Sequence, residues 1–130
     1  MKMIRCKTIT TEEEIPNDLE TFKNWEFSSG TTTGEDFKIF AKVFKKYIKN
    51  NLPNNATLAD FSIGHYFISG FVQKNSKYAY FSISDVRHFP NKWFEDILIR
   101  TAKDAKDYTG GSNENTTLEN FKQEIDTLVS

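Results

Sequence analysis

The sequence has 130 residues and a formal net charge of −1, a length that fits one domain of the usual size of about 100–150 residues. Its 12 Phe, 5 Tyr and 2 Trp can build a core without help from disulfides or a structural metal. Cys6 is the only cysteine, which excludes an internal disulfide and a thiolate zinc cluster. We therefore expect a single cytoplasmic domain over residues 1–130, with no metal and no cofactor.

The hydropathy pattern argues against membrane insertion. No window of the sequence approaches the ~20 apolar residues that span a bilayer. The first 14 residues also lack the apolar stretch of about 7–15 residues found in a secretion signal. The near-neutral charge gives the protein as a whole no attraction to nucleic acid, so binding of that kind requires a local basic patch.

The first 33 residues have the composition of a peripheral arm, with glutamates at positions 12–14, Pro16 and a polar run at 28–33. Phe22, Trp25 and Phe27 are the exception. Three aromatic residues within six positions predict a short helix or strand that fastens the arm to the core.

Residues 35–52 have the period of an α-helix, with Thr33 as its predicted N-cap. Its apolar positions recur at helical spacing: Phe37, Phe40, Ala41, Phe44, Tyr47 and Ile48. At 100° per residue, five lysines collect on the remaining side: Lys38, Lys42, Lys45, Lys46 and Lys49. Such a stripe either binds phosphates or an acidic protein surface, or serves as the solvated face of an apolar helix.

Two segments with the period of a β-strand, residues 66–73 and 78–85, predict a hairpin around Asn75 and Ser76. If Lys74 lies opposite Lys77, Gly70 faces Phe81, and the missing side chain at Gly70 makes room for the ring. This side of the hairpin is predicted to be core, with Ile68, Val72, Ala79 and Ile83.

The opposite side of the hairpin mixes rings with hydroxyl groups, and we call it the aromatic face. It carries Phe67, Ser69, Phe71 and Gln73 on the first strand, and Tyr78, Tyr80, Ser82 and Ser84 on the second. Either a helix covers this face, or it stays open for base stacking or for contact with another protein.

Residues 96–103 alternate in the manner of a third strand, with Ile97 and Ile99 on one side. Thr116-Thr117-Leu118-Glu119 resembles a capping box. It precedes a closing helix with an apolar stripe of Leu118, Phe121, Ile125 and Leu128. The predicted fold class is α+β: an antiparallel sheet of three or more strands, with a long helix before it and a C-terminal helix after it.

Polar groups cluster after the second hairpin strand and after the third strand, but no catalytic motif is complete. Asp85 and His88, with His65, offer acid–base groups without the spacing of a metal motif such as H-E-x-x-H. Gly110 and Gly111 lack the Walker spacing, and act as a connector or as a weak anion cradle. We therefore predict that the protein is not an enzyme.

The C-terminal half resembles small proteins carried by phages, plasmids and conjugative elements of low-GC Gram-positive bacteria. The resemblance covers residues 64–121, has no catalytic signature, and rests on three stretches: Lys77-Tyr-Ala-Tyr-Phe-Ser-Ile-Ser-Asp-Val-Arg-His-Phe, Ile97-Leu-Ile-Arg-Thr-Ala-Lys and Asp107-Tyr-Thr-Gly-Gly-Ser-Asn. It implies a compact inhibitor of host defence, of the kind that includes anti-CRISPR proteins, in the cytoplasm of a bacterial host cell.

Two functional hypotheses follow. The first is a stoichiometric inhibitor that docks on a host defence nuclease, such as a CRISPR-associated endonuclease, and blocks its DNA binding or cleavage. Its candidate contacts are Phe67, Phe71, Tyr78, Tyr80, Arg87, Arg100, Lys103, Lys106 and Tyr108. The second is a small nucleic-acid-binding module, in which the lysine stripe contacts phosphates and the rings of the aromatic face stack on bases.

Overall fold

The computed structural model describes residues 4–5, 17–26, 33–64, 67–84, 86, 89 and 92–130. Its helices are α1 (Leu19–Lys23), α2 (Thr33–Asn50) and α3 (Phe121–Val129), with a 3-10 turn at Trp93–Glu95. Its strands are β1 (Ile4–Arg5), β2 (Trp25–Glu26), β3 (Thr57–Ile63), β4 (Ile68–Lys74), β5 (Lys77–Ile83), β6 (Ile97–Ala102) and β7 (Glu114–Thr116). The fold is α+β, as the sequence predicts.

Strands β3 to β7 form one antiparallel sheet in which each strand pairs with its neighbour in the sequence. Strands β1 and β2 pair separately, in parallel. The predicted hairpin register is confirmed, because Lys74 pairs with Lys77 and Gly70 with Phe81. The turn between them places Asn75 at φ 57°, a conformation that asparagine tolerates better than most residues.

The core lies on the face of the sheet that carries Gly70 and Phe81. Phe81 is wholly buried, and its ring meets Phe121 of α3 edge-on, with the ring centroids 5.2 Å apart. Helix α2 packs beside β3 on the same side, where Lys45 lies over the ring of Phe61. Neither long helix covers the aromatic face.

An aromatic cluster joins α1 to α2. Phe22 of α1 is wholly buried and stacks with Trp25 at a centroid distance of 6.2 Å. It also meets four other rings edge-on: Phe40, Phe44, Tyr47 and Trp93. The prediction that Phe22 and Trp25 fasten the N-terminal segment to the core is confirmed, whereas Phe27 lies outside the described residues.

Three sequence-based expectations about element ends are wrong. Thr33 is the first residue of α2 and not its N-cap, and the helix ends at Asn50. Thr116 is the last residue of β7 and not part of a capping box. The hydroxyl of Thr117 accepts the backbone N–H of Asn120 instead, and α3 begins one residue later.

Strands β3 and β7 are not predicted from the sequence and extend the sheet to five strands. A bulge lies between Leu58 and Asp60 of β3 and breaks the alternation of apolar residues that marks a strand. Strand β7 has three polar residues and no such pattern. Within the described residues, no helix is both long enough and apolar enough to cross a bilayer.

Candidate functional site

Three side chains of the aromatic face form a row across neighbouring strands. Phe71 of β4 pairs with Tyr80 of β5, and Tyr80 pairs with Arg100 of β6. The centroids of the Phe71 and Tyr80 rings are 5.1 Å apart, and the guanidinium carbon of Arg100 lies 4.3 Å from the centre of the Tyr80 ring. Directly opposed side chains of this kind stabilise a sheet, and the cation gains from the negative face of the ring.

Tyr108 closes over this row from the loop that follows β6. Its ring stands edge-on to Phe71 at 5.2 Å and to Tyr80 at 5.9 Å between centroids. As a result only 1% of Phe71 is exposed, whereas 52% of Tyr108 remains exposed. A loop residue and not a helix therefore covers this part of the sheet, and it presents an aromatic ring in turn.

Arg100 is a charged residue held beneath this surface, with 3% of its area exposed. Its guanidinium donates hydrogen bonds to the backbone carbonyls of Thr101, at 3.2 Å, and Asp107, at 2.7 Å. A buried cation is stable only when its N–H groups find such partners. Arg100 thus ties the end of β6 to the loop that carries Tyr108.

Asp107 organises the loop itself. Its carboxylate accepts the backbone N–H groups of Lys103, Thr109 and Gly110, at 2.9, 3.2 and 2.9 Å. These hydrogen bonds, that from Lys103 above all, lower the pKa of Asp107 below its usual value, and the charge of Arg100 adds to the effect. Asp107, which precedes Tyr108 in the sequence, therefore holds the loop in its conformation.

The two glycines after Tyr108 have separate structural roles. Gly110 donates its N–H to Asp107, so the suspected anion cradle already holds a carboxylate of the same chain. Gly111 has a φ of +74°, and a Cβ atom there would collide with the backbone carbonyl of Thr101. Only glycine adopts this conformation readily, so Gly111 allows the loop to close against Thr101.

We call the combination of Phe71, Tyr80, Arg100 and Tyr108 with the loop at 103–111 the Tyr108 surface. Lys103 and Lys106 of this loop are exposed, and their backbone N–H groups bond to Asp107 and Asp104. The surface presents one exposed ring on a buried, hydrogen-bonded support. Aromatic anchors fixed in this way lose little conformational entropy when they bind.

The remaining aromatic candidates lie apart from Tyr108. Phe67 is 42% exposed and precedes β4, about 13 Å along the chain from Phe71 at the usual rise per residue of a strand. Its ring lies against Gly64. Tyr78 is half-buried and pairs with Ala102 at the other end of the sheet. The structure therefore brings Phe71, Tyr80 and Tyr108 together, but not Phe67.

The five lysines of α2 are all exposed. Four of them line a shallow depression of about 380 Å³ together with Asn50: Lys42, Lys45, Lys46 and Lys49. The depression lies on the core side of the sheet, whereas Phe71 and Tyr80 belong to its opposite face. A single ligand strand cannot contact the lysines and these rings on one continuous surface.

The acid–base candidates Asp85, His88 and His65 lie outside the described residues, as does Arg87. A depression of about 430 Å³ lies beside that segment, lined by Ser84, Phe89, Lys92, Trp93, Glu95 and Asp96. We assign no chemistry to it.

The role of Asp107 as a hydrogen-bond acceptor for the loop is not predicted from the sequence. An Asp that accepts the N–H groups two and three residues later forms an Asx turn, and Asp107-Tyr-Thr-Gly-Gly has the composition of one. This local signal is visible in the sequence, but the support of the loop by Arg100 is not.

Comparison of the chain with known protein families, with curated proteins and with solved structures finds no match. The site is therefore interpreted from its own geometry.

Proposed function

We propose that the protein is a stoichiometric inhibitor that binds a host defence nuclease, of the CRISPR-associated endonuclease class, and blocks its DNA binding or cleavage. The observation that carries the binding role is the Tyr108 surface, where an exposed ring stands on a buried support of Phe71, Tyr80 and Arg100. The target class rests on the resemblance of residues 64–121 to small proteins of mobile elements.

The composition of the Tyr108 surface favours protein recognition. Tyr, with Trp and Arg, is enriched among the few residues that dominate a protein interface. Tyr108 supplies a large amphipathic contact, and exposed Lys103 and Lys106 beside it would form the polar rim. The two lysines favour an acidic patch on the partner.

The same geometry argues against base stacking on this face. Phe71 is 1% exposed, so no base can reach its ring. Tyr80 is half-buried: Arg100 lies over its ring, and the ring of Tyr108 packs against it in a T-shaped arrangement. A platform for single-stranded nucleic acid needs open ring faces, and of these three rings Tyr108 is the most exposed.

The test of this proposal is a titration against guide-loaded CRISPR effector nucleases, with DNA cleavage as the readout and size-exclusion chromatography to detect the complex. We expect cleavage to stop at a whole-number ratio of the two proteins. Inhibition by far less than one equivalent would indicate turnover and contradict a stoichiometric mechanism. Absence of a complex with every effector would refute the target class.

Substitution of Tyr108 tests the surface separately. If Tyr108 is a dominant contact worth about 2 kcal/mol, Tyr108→Ala weakens binding roughly 30-fold. Lys122→Ala is the matched control, because Lys122 is an exposed residue of α3 on the other side of the sheet. Equal affinity of Tyr108→Ala and the unmodified protein would move the interface elsewhere.

A further inference from the structure

We propose that the depression lined by Lys42, Lys45, Lys46 and Lys49 binds the sugar–phosphate backbone of single-stranded nucleic acid, without preference for base sequence. We call this depression the lysine groove. It lies on the opposite side of the sheet from Tyr108, so the inference is independent of the inhibitory role.

The four lysine charges of the groove lie close together, without an acidic partner among the residues that the structure describes. Lys42 and Lys46, and likewise Lys45 and Lys49, are like charges four residues apart on one helix, a spacing that destabilises it. None of the four forms an ion pair with a residue that the structure describes. A face needed only for solubility would intersperse Glu with Lys, and α2 has no acidic residue after Asp36.

The lysines also line a shallow depression. The groove has a volume of about 380 Å³, and the ammonium group of Lys45 is 5.5 Å from the centre of the Phe61 ring. Contact with the ring restrains this long side chain beside β3. These four lysines therefore present their charge to one shallow depression.

The four lysines form a short row along the axis of α2. From Lys42 to Lys49 the helix rises about 10.5 Å at 1.5 Å per residue, in axial steps of about 4.5, 1.5 and 4.5 Å, so the row of charges can follow a short stretch of a sugar–phosphate backbone.

The kind of cation favours phosphate over carboxylate ligands. All the basic residues of α2 are lysines, which bind phosphate as point charges, whereas bidentate recognition of carboxylates favours arginine. The lysine groove therefore suits a repeating row of phosphates better than an acidic peptide.

A single strand fits the site better than a duplex. Phe40, Phe44 and Ile48 of α2 are wholly buried, so the helix presents a single narrow row of charge, about 10.5 Å long at 1.5 Å per residue. A single strand can lie along the exposed side. The one ring at the groove, Phe61, is half-buried beneath Lys45, so the site contacts the backbone and does not read the bases.

The test is fluorescence anisotropy with labelled 12-nucleotide dT and rU strands at 50 and 200 mM NaCl. Four phosphate contacts predict a slope of log affinity against log salt of about −2.8, and thus roughly 50-fold weaker binding at the higher salt. We expect a Kd on the order of 1 µM at 50 mM, because a non-specific Kd of about 10⁻⁴ M at physiological salt becomes roughly 50-fold tighter at the lower salt. No binding at 50 mM, or tighter binding to a 12-base-pair duplex, would overturn the proposal.

Paired substitutions locate the site. Lys45→Gln with Lys49→Gln removes two contacts and should halve the salt slope to about −1.4; Lys42→Gln with Lys46→Gln should do the same. The control pair, Lys103→Gln with Lys106→Gln, removes equal charge from the Tyr108 surface and should leave both slope and affinity unchanged. Equal losses in the control, or equal competition by poly-glutamate, would refute a phosphate site at the groove.

The two proposals fail separately. Tyr108→Ala should leave oligonucleotide binding intact, because Tyr108 lies on the other face of the sheet. Loss of oligonucleotide binding in Tyr108→Ala would contradict the assignment to the lysine groove. Failure to inhibit any nuclease would leave the anisotropy result unaffected.

Discussion

Substitution of Gly70 by alanine tests the packing between the two layers of the fold. A Cβ atom at Gly70 would lie 2.6 Å and 2.8 Å from Cζ and Cε1 of Phe81, and 2.9 Å from the backbone oxygen of Asp60. Phe81 is wholly buried and meets Phe121 edge-on, so its ring has little room to retreat. Asp60 belongs to the neighbouring strand, so its oxygen moves only with the backbone of β3.

The expected cost combines two opposing effects. Overpacking a core costs about 1–3 kcal/mol, while replacing Gly by Ala recovers roughly 0.4–1 kcal/mol by restricting the unfolded chain. Gly70→Ala should therefore lower the free energy of unfolding by about 1–2 kcal/mol, in the upper part of the resulting range, because contacts below 3.0 Å require Phe81 or β3 to move. At roughly 4 °C per kcal/mol for a domain of this size, thermal unfolding followed by circular dichroism should show a Tm lower by ~4–8 °C.

Two further variants make the result specific. Phe81→Leu removes the ring atoms that the new methyl group meets, so the double mutant Gly70→Ala/Phe81→Leu should be more stable than the sum of the single changes by at least ~0.5 kcal/mol. Gly64→Ala is the control, because the three atoms nearest to its Cβ all belong to the ring of Phe67, which is 42% exposed and able to move. It should stay within about 0.5 kcal/mol of the unmodified protein. Unchanged stability of Gly70→Ala, or strict additivity of the double mutant, would refute the packing argument.

Three other predictions concern single loop and helix residues. Gly111→Ala should cost at least ~1–2 kcal/mol in urea unfolding, because alanine resists the left-handed conformation at φ +74°, and an unaffected midpoint would show that the loop closes differently. Asp107 has a lowered pKa, so its charged form stabilises the folded protein fully above the usual Asp pKa of about 3.9, and this stabilisation is lost as the pH falls further. The difference in stability between Asp107→Asn and the unmodified protein should therefore be constant near pH 7 and shrink below about pH 4. Asp18 caps α1 by accepting the N–H and hydroxyl of Thr21, so Asp18→Ala should destabilise the protein by about 1 kcal/mol, and a neutral result in urea unfolding would show that α1 does not depend on its cap.

The hairpin of β4 and β5 could be predicted from the sequence to the level of individual pairs. Strict alternation fixes which side of each strand faces the core, and the two-residue turn at Asn75 and Ser76 sets the register between Lys74 and Lys77. The gap left by Gly70 opposite a large ring is a consequence of that register alone. Local periodicity and turn chemistry suffice here because the two strands are adjacent in the sequence.

Strand β3 could not be predicted in the same way, because its bulge at Ala59 shifts the alternation by one residue. Leu58 and Phe61 both pack on the core, three positions apart, where an unbroken strand would need two or four. Strand β7 pairs with β6, where Leu98 lies opposite Asn115. Such elements depend on partners that are already in place, which no local pattern reveals.

The Tyr108 surface could be predicted only in part, for a related reason. Phe71 and Tyr80 follow from the hairpin register, and Arg100 is the next residue of the row once β6 is paired with β5. The return of the loop over the sheet depends on the carbonyl of Asp107, which Arg100 reaches across seven residues at 2.7 Å. A tertiary hydrogen bond of this kind leaves no periodic trace in the sequence.

The division of the sheet into two faces explains why two separate surfaces can exist on so small a protein. Both long helices pack on the core face, so the other face must bury its rings by other means. The loop at 103–111 does so with one side chain, and the half-exposed ring of Tyr108 is the consequence. Helix α2, which buries Phe40 and Phe44 completely, keeps its five lysines on the remaining side. The Tyr108 surface and the lysine groove thus lie on opposite sides of the same layer of β-strands. Substitutions in one can therefore be made without disturbing the other.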